Sequence, residues 1–297
     1  MVYDADPGEL DIQMRLPRDT APVESRRNQA SVWIDRALGG LEVMALKLQT
    51  HAFPPHTHDT LMIGLVRAGC KAFEREGKTY LAPRGSISIV NPHELHTGRR
   101  QDGPELRYLS LYVPIEFLAE MTIGKSNFGP PFFKAGVIED LELYGKLACA
   151  CRSLCNAESR LTREYALADA MRLLAERYSE ARLERPTGRI REPRGVREAQ
   201  DLIAARYAEE LSIEEIAATA RLSRYYLMRA FRHSVGLPIH AYQLQLRVER
   251  AKEMLASGRP VVDVALEVGF ADQAHFTKRF RSLVGLTPAV YQRGALS

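Results

Sequence analysis

Two histidines stand two residues apart in PPHTHDT, residues 54–60, directly ahead of the apolar run LMIGLV. Alternate side chains of a strand share a face, so a strand here would project His56 and His58 together. Imidazole can ligate a metal, exchange hydrogen bonds with an organic ligand, or fill a structural position, and the pair by itself leaves all three readings open. A second chemistry-bearing group is basic. Arg221, Arg224, Arg229 and Arg232 fall within twelve residues that contain no acid, and Lys278, Arg279 and Arg281 form a later cluster. Such clusters neutralise phosphates or line a solvated helix face. A third is CACRSLC, in which Cys151 and Cys155 share a helix face and Cys149 points elsewhere, as small packing residues or as a redox or metal switch. No constellation of nucleophile and general base accompanies any of these, so no catalytic residue is assigned.

The chain that must position these groups has 297 residues, 45% of them hydrophobic and 26% charged, enough for two domains of an ordinary soluble protein. No apolar run approaches signal-peptide or membrane-span length and the four cysteines form no spaced framework, so a cytoplasmic protein without membrane contact is expected. The net charge of +4 is too small to identify a partner. Residues 1–30 read as a polar arm. From Leu41 to Val113 the pattern is that of short strands separated by turns, with a change of phase inside LEVMALKLQT that suggests a bulge or break. On LRYLSLYV, Tyr108 and Tyr112 share a face opposite Leu109 and Leu111. Residues 139–181 shift to helical spacing, from Leu141 and Leu147 to Tyr165, Leu167, Met171, Leu174 and Tyr178, and read as two amphipathic helices closing the first domain. ERPTGRIREPRG, residues 184–195, has almost nothing to bury and reads as a linker.

Beyond the linker the pattern is helical and repeated. IEEIAATARLSRYYLMRAFRHSVGLPIHAYQ, residues 213–243, matches VVDVALEVGFADQAHFTKRFRSLVGLTPAVYQ, residues 261–292. Ile216-Ala217 answers Val264-Ala265 at an offset of 48, while Phe231 answers Phe280 and Tyr242-Gln243 answers Tyr291-Gln292 at 49. One extra residue in the second turn would produce that change. Each unit has a short helix, a turn and a second helix, with Ser223 and Asp272 as the expected N-caps. Spacing by four turns Leu227 and Phe231, and Phe276 and Phe280, inward. Arg224, Tyr225, Met228 and Arg229, and Gln273, Ala274 and Lys278, then face outward, as base-reading side chains do in a helix-turn-helix. Between the units Ile239 to Ser257 reads as one helix, about 28 Å long at about 1.5 Å per residue. Major-groove faces recur every ~34 Å along B-DNA, so one chain could address two of them.

LSRYYLMRAFRHSVGLPIHAYQLQLRVERAKEML and VALEVGFADQAHFTKRFRSLVGLTPAVYQ resemble the AraC-type transcriptional regulators over residues 196–297. The resemblance implies a DNA-binding domain of two helix-turn-helix units joined by a long helix, with Tyr225, Met228 and Arg229, and Gln273, Ala274 and Lys278, at base-facing positions. Gln292 departs from it, since the family usually has arginine after the tyrosine of its P-x-x-Y segment, and Arg293 is the neighbouring arginine that could take that place. Regulators of this kind often carry an N-terminal cupin-like barrel, and residues 40–115 fit that pattern through His56-x-His58, Met62, Gly69, Gly85 and His96. The family's glutamate position is held by Met62. Three histidines with an open site could hold a divalent zinc, iron or nickel ion, although methionine is a poor partner for hard ions.

The expected architecture is therefore α+β and multidomain. An antiparallel cupin-like barrel with closing helices, residues 31–183, senses an effector and forms a homodimer. An all-α double helix-turn-helix domain, residues 196–297, binds promoter DNA. Effector contacts are expected from His56, His58, His96, Met62 and Tyr108, and a metal, if bound, from the three histidines. RNA polymerase is an expected partner of such a regulator. A cupin metalloenzyme fused to a DNA-binding module and a ligand-independent regulator are the competing readings.

Overall fold

Strand signals dominate the first half of the chain and helical ones the second, and the computed structural model, which describes residues 28–122, 131–180 and 193–296, follows that division. The expected arm over 1–30 lies outside the described residues up to 27. Its last two residues, Gln29 and Ala30, already belong to β1 (Gln29–Asp35). The described chain folds as two compact units. The first holds 28–52, 58–94 and the described part of 98–180, and the second holds 193–296 with the short segments 53–57 and 95–97.

The strands continue as β2 (Leu41–Leu48), β3 (Ala52–His56), β4 (Leu61–Ala68), β5 (Cys70–Arg75), β6 (Lys78–Pro83), β7 (Ile87–Val90), β8 (His96–Arg100), β9 (Leu106–Val113), β10 (Phe132–Phe133), β11 (Val137–Ile138) and β12 (Ser179–Glu180). One sheet runs β1-β2-β9-β4-β7-β11 and the other β3-β8-β5-β6, while β10 and β12 form a separate pair. Among helices α1 spans Ile115–Thr122, α2 Leu141–Cys155 and α3 Arg160–Tyr178. Asp140 and Ser159 cap α2 and α3 by accepting from Leu143 and Thr162 backbone amides.

The six-stranded sheet is buried on both faces. Leu41 and Val43 of β2, Leu61, Ile63 and Leu65 of β4, Ile87 and Ile89 of β7, and Leu109 and Leu111 of β9 pack against Leu143, Leu147, Leu167, Met171 and Leu174 of α2 and α3. Met44, Leu46 and Leu48 are equally buried on the opposite face. Two buried faces explain the phase change in LEVMALKLQT. No bulge occurs there, because β2 pairs in unbroken register with β1 and β9. The irregularity falls instead between Val66 and Ala68 of β4, where pairing with β9 shifts. A buried arginine fastens the following segment: Arg75 pairs with Glu94 at 2.9 Å and donates to the carbonyls of Ile89, Phe133 and Lys134.

The second unit contains α4 (Arg194–Ala205), α5 (Ile213–Ala220), α6 (Arg224–Val235), α7 (Ile239–Ala256), α8 (Val261–Glu267), α9 (Gln273–Val284) and α10 (Pro288–Leu296). The expected linker lies outside the described residues up to 192, and Arg194 and Gly195 are the first turn of α4. Val196, Ala199 and Ile203 of α4 close one core with Ile216, Ala217, Leu227 and Phe231. The repeat is visible in its packing: Phe231 meets Tyr242 edge-on at 5.4 Å, and Phe280 meets Tyr291 in the same manner at 5.6 Å.

Candidate functional site

The turn between α5 and α6 explains the changing offset of the repeat. Helix α5 ends on Arg221 in the left-handed region, φ 53°, and Gly269, φ 86°, stands 48 residues later at the end of the α8 turn. The amides of Leu222 and Phe270 then reach back to the carbonyls of Ala217 and Ala265. From Arg221 the chain needs two residues to reach the N-cap Ser223. From Gly269 it needs three to reach Asp272, so the inserted residue lies in this short span. Gly269 is obligatory for a second reason, since a Cβ there would come within 2.0 Å of the Ala208 carbonyl oxygen.

Ser223 accepts from the Tyr226 amide and Asp272 from the His275 amide, as expected for the N-caps of α6 and α9. Burial of Leu227, Phe231, Phe276 and Phe280 leaves Arg224, Tyr225, Met228 and Arg229, and Gln273, Ala274 and Lys278, exposed on the outer faces. Tyr225 is 70% exposed and Met228 43%, high values for an aromatic and an apolar side chain. Arg224 donates to Glu214 at 3.0 Å and lies over the Tyr225 ring, while Arg229 lies over the Tyr226 ring. The outer surfaces also include Tyr226, His275 and Arg279, which spacing by four does not single out. Arg279 Nε donates to His275 Nε2 at 3.2 Å. A full helical wheel around Leu227 and Phe276 would have found these three.

Helix α7 joins the units, and Arg247 pins it to both. Its guanidinium donates to the Tyr207 carbonyl at 2.8 Å, the Glu209 carbonyl at 2.9 Å and the Gly269 carbonyl at 2.6 Å. The repeated glutamines share a role. Gln243 donates to the carbonyls of Tyr207 and Glu209 in the loop before α5, and Gln292 to that of Arg259 before α8. The departure at Gln292 thus has an internal use: its amide satisfies a backbone carbonyl.

In the sheet domain the histidines do not act as a same-face pair. Strand β3 ends at His56, so His58 lies beyond the alternation that would have aligned them. His56 Nδ1 lies 2.8 Å from the Pro54 carbonyl oxygen, and the ring packs on His96 with centroids 4.2 Å apart. His58 Nδ1 lies 2.9 Å from the Thr60 carbonyl oxygen, and its ring meets Tyr112 edge-on at 5.5 Å. Among the described residues no group of three or more His, Cys, Asp or Glu is arranged to hold a metal ion. Burial pushes the Cys151 thiol up to about 12 and raises that of Cys155, and both side chains pack in the core beneath α2. That environment suits packing better than redox exchange.

Met62 and Tyr108 are buried on the inward face of the six-stranded sheet. Between their rungs lies a polar one, formed in register by Met44, Ser110, Gly64 and Ser88 of β2, β9, β4 and β7. Lys71, from β5 of the facing sheet, donates to Ser88 Oγ at 3.2 Å and sits 4.9 Å from the Tyr108 ring centroid. It is 3% exposed, and burial brings its amine down to about 7. Burial likewise raises the Tyr108 phenol well above its ordinary value. Nothing in the spacing of CKAFER marks Lys71 as inward-facing until the facing sheet is known.

Comparison with known proteins agrees with both halves. Residues 38–175 match the family model of the AraC-like ligand binding domain, and residues 216–294 match that of a helix-turn-helix domain. An uncharacterized HTH-type transcriptional regulator, YbfI of Bacillus subtilis, is 26% identical over 237 residues, covering 79% of this chain and 85% of that one. The HTH-type transcriptional activator AarP of Providencia stuartii is 34% identical over 91 residues, 30% of this chain and 67% of AarP. In fold, the chain is similar to ToxT of Vibrio cholerae, with a TM-score of 0.53 at 10% identity over 92% of this chain and all of that one. With a ligand-binding domain ahead of a doubled helix-turn-helix, this chain belongs to the AraC family of DNA-binding transcriptional regulators.

Proposed function

We propose that α6 and α9 read two neighbouring major-groove faces of one DNA site, through Arg224, Tyr225, Met228 and Arg229 and through Gln273, Ala274 and Lys278. The observation that carries this reading is the repetition itself. Two helices with equivalent inward aromatics present exposed cationic, amide and aromatic side chains, and Arg247 ties their common connector to both units. Eighteen residues of α7 span about 27 Å at about 1.5 Å per residue, of the order of the ~34 Å groove repeat. Footprinting of the full chain on a selected site should protect two groove faces one turn apart. Arg229→Ala and Lys278→Ala should each weaken binding by about 1–3 kcal/mol. Protection of a single face would remove the two-groove reading.

The sheet domain, residues 31–183, is read as the sensor, with the effector meeting Met62, Tyr108 and His58 on the inward side. The stacked pair His56 and His96 lies on the short segments grouped with the second unit, and its mutual packing supports a structural role. Segment 184–195 is read as the linker up to Pro193, its last two residues already belonging to α4. The chain acts by binding and not by turnover, in the cytoplasm, on promoter DNA, and through contact with RNA polymerase. Among the described residues no helix is long and apolar enough to cross a membrane. It assembles as a homodimer. The apolar stripe of α3 is mostly committed to its own core, since Leu167, Met171 and Leu174 are buried against the sheet. The exposed row of α3, Leu161, Tyr165 and Ala168, is the remaining apolar surface of that helix.

A further inference from the structure

Among the described residues Lys71 is the lysine of the sheet domain whose charge lies between the two sheets, and its surroundings are specific. Its Nζ meets Ser88 Oγ at 3.2 Å and the faces of Tyr108 and Phe73 at 4.9 and 5.3 Å, with no ion pair among the described residues. An ammonium has three protons to donate, and a cation taken out of water without an opposite charge carries a large desolvation cost. Sequences seldom keep such a residue where a leucine or methionine would pack. Ser88 Oγ also donates to the Gly64 carbonyl at 3.4 Å, and Ser110 occupies the next place on the same rung, 1% exposed. Gly64 makes the convergence feasible. A Cβ there would stand 2.3 Å from Ser88 Oγ, 3.4 Å from Lys71 Nζ and 3.7 Å from Met62 Sδ. One cation, one hydroxyl and a glycine thus meet at one point, with Ser110 and then Met44 continuing the same rung beyond Gly64 and Met62 two residues along β4.

We propose that the effector of this domain is an organic monocarboxylate, its anionic end seated on Lys71 Nζ with the Ser88 and Ser110 hydroxyls and its apolar body against Met44 and Met62. The inference rests on the sensing role proposed above and narrows it to a ligand class. A single cation matches a single negative charge, and the surrounding rings and thioethers would penalise a dianion such as a phosphate ester. A neutral polar ligand would leave the ammonium as uncompensated as before. No covalent step is involved.

The test is equilibrium binding to the full chain by calorimetry, with matched probes of equal shape: acetate and acetamide, benzoate and benzamide, octanoate and octanamide. At least one carboxylate should bind tenfold or more tightly than its amide. Lys71→Met should reduce that preference to within twofold, and Ser88→Ala should weaken the carboxylate several-fold. Melting curves establish that each variant is folded, and Lys71→Gln replaces Lys71→Met should the latter not be. The proposal is overturned if no carboxylate of the set outbinds its amide, or if the preference survives loss of Lys71. An amide that binds as well as its acid and alters DNA affinity would leave the sensing role standing while removing the anion. Failure of every probe removes the anion alone, because the sensing role is judged separately, by whether replacing Tyr108 and His58 abolishes the response of the full chain to cell extract.

Discussion

A lysine ammonium with one hydroxyl beside it and no carboxylate among the described residues works against the fold that holds it, and that cost is measurable. Burial brings the Lys71 amine from 10.5 down to about 7. The unfolded chain therefore carries the extra proton between about pH 7 and 10.5, and the folded chain does not. Stability rises with pH wherever the unfolded state binds more protons, so Lys71 destabilises increasingly as pH falls through this window, and the full cost is present below about 7. Lys71→Met removes the effect. The variant should melt higher than the parent at pH 7, by a margin on the order of 4 kcal/mol at about 1.36 kcal/mol per pH unit, and the gap should close towards pH 10. Melting curves of both proteins from pH 6 to 10 give the answer, and a gap independent of pH would mean that Lys71 has its charge compensated. Arg221 poses a smaller version of the same question. It sits at φ 53° where its repeat partner is Gly269, so Arg221→Gly should be neutral or stabilising by up to about 1 kcal/mol in thermal unfolding.

At the scale of elements, the connector α7 is the part on which a two-groove reading depends, and Arg247 is its fastening. Four backbone carbonyls, three from the loop before α5 and one from the turn after α8, converge on one guanidinium. Arg247→Ala would leave them without that donor at a cost of about 2–3 kcal/mol, and Arg247→Lys should recover little, because a point charge cannot span carbonyls on two units. Denaturant unfolding measures the first effect. A loss of cooperative DNA protection by the two units measures the second. The helices themselves were legible from spacing alone. Leu227, Phe231, Phe276 and Phe280 repeat on one face, Ser223 and Asp272 cap as expected, and even the inserted residue of the second turn appears as a shift from 48 to 49. Arg247 was hidden because its partners are backbone carbonyls, which carry no residue identity. The sheet domain was less legible for a related reason. A strand buried on both faces, such as β2, loses its alternation, and the histidine spacing suggested a shared face only while β3 was assumed to run past His56. The burial of Lys71 is not legible in CKAFER, because it depends on a sheet built from distant parts of the chain.

At the scale of the whole molecule, one chain offers two reading helices and the question is whether two chains act together. Leu161 and Tyr165 of α3 are 76% and 74% exposed, one turn apart, and Ala168 continues the row. Ion pairs flank it, Arg160 with Glu164 and Arg172 with Glu176, which leaves an apolar strip with a charged rim, the composition of an interface centre and its edge. In a two-fold contact the same strip serves both partners, so each Leu161 and Tyr165 counts twice and two substitutions introduce four charges at the seam. The full chain should sediment as a dimer at micromolar concentration. Leu161→Lys with Tyr165→Glu should shift it to monomer while leaving its melting transition nearly unchanged, because neither side chain is buried in the single chain. DNA carrying two adjacent sites should then lose about 10²-fold or more in affinity, as joined modules do when they are separated, whereas DNA carrying one site should lose little. A parent that sediments as a monomer refutes the dimer. A variant that stays dimeric moves the contact to another surface, and equal losses on single and double sites would mean that the substitutions act on the reading helices instead of on their pairing.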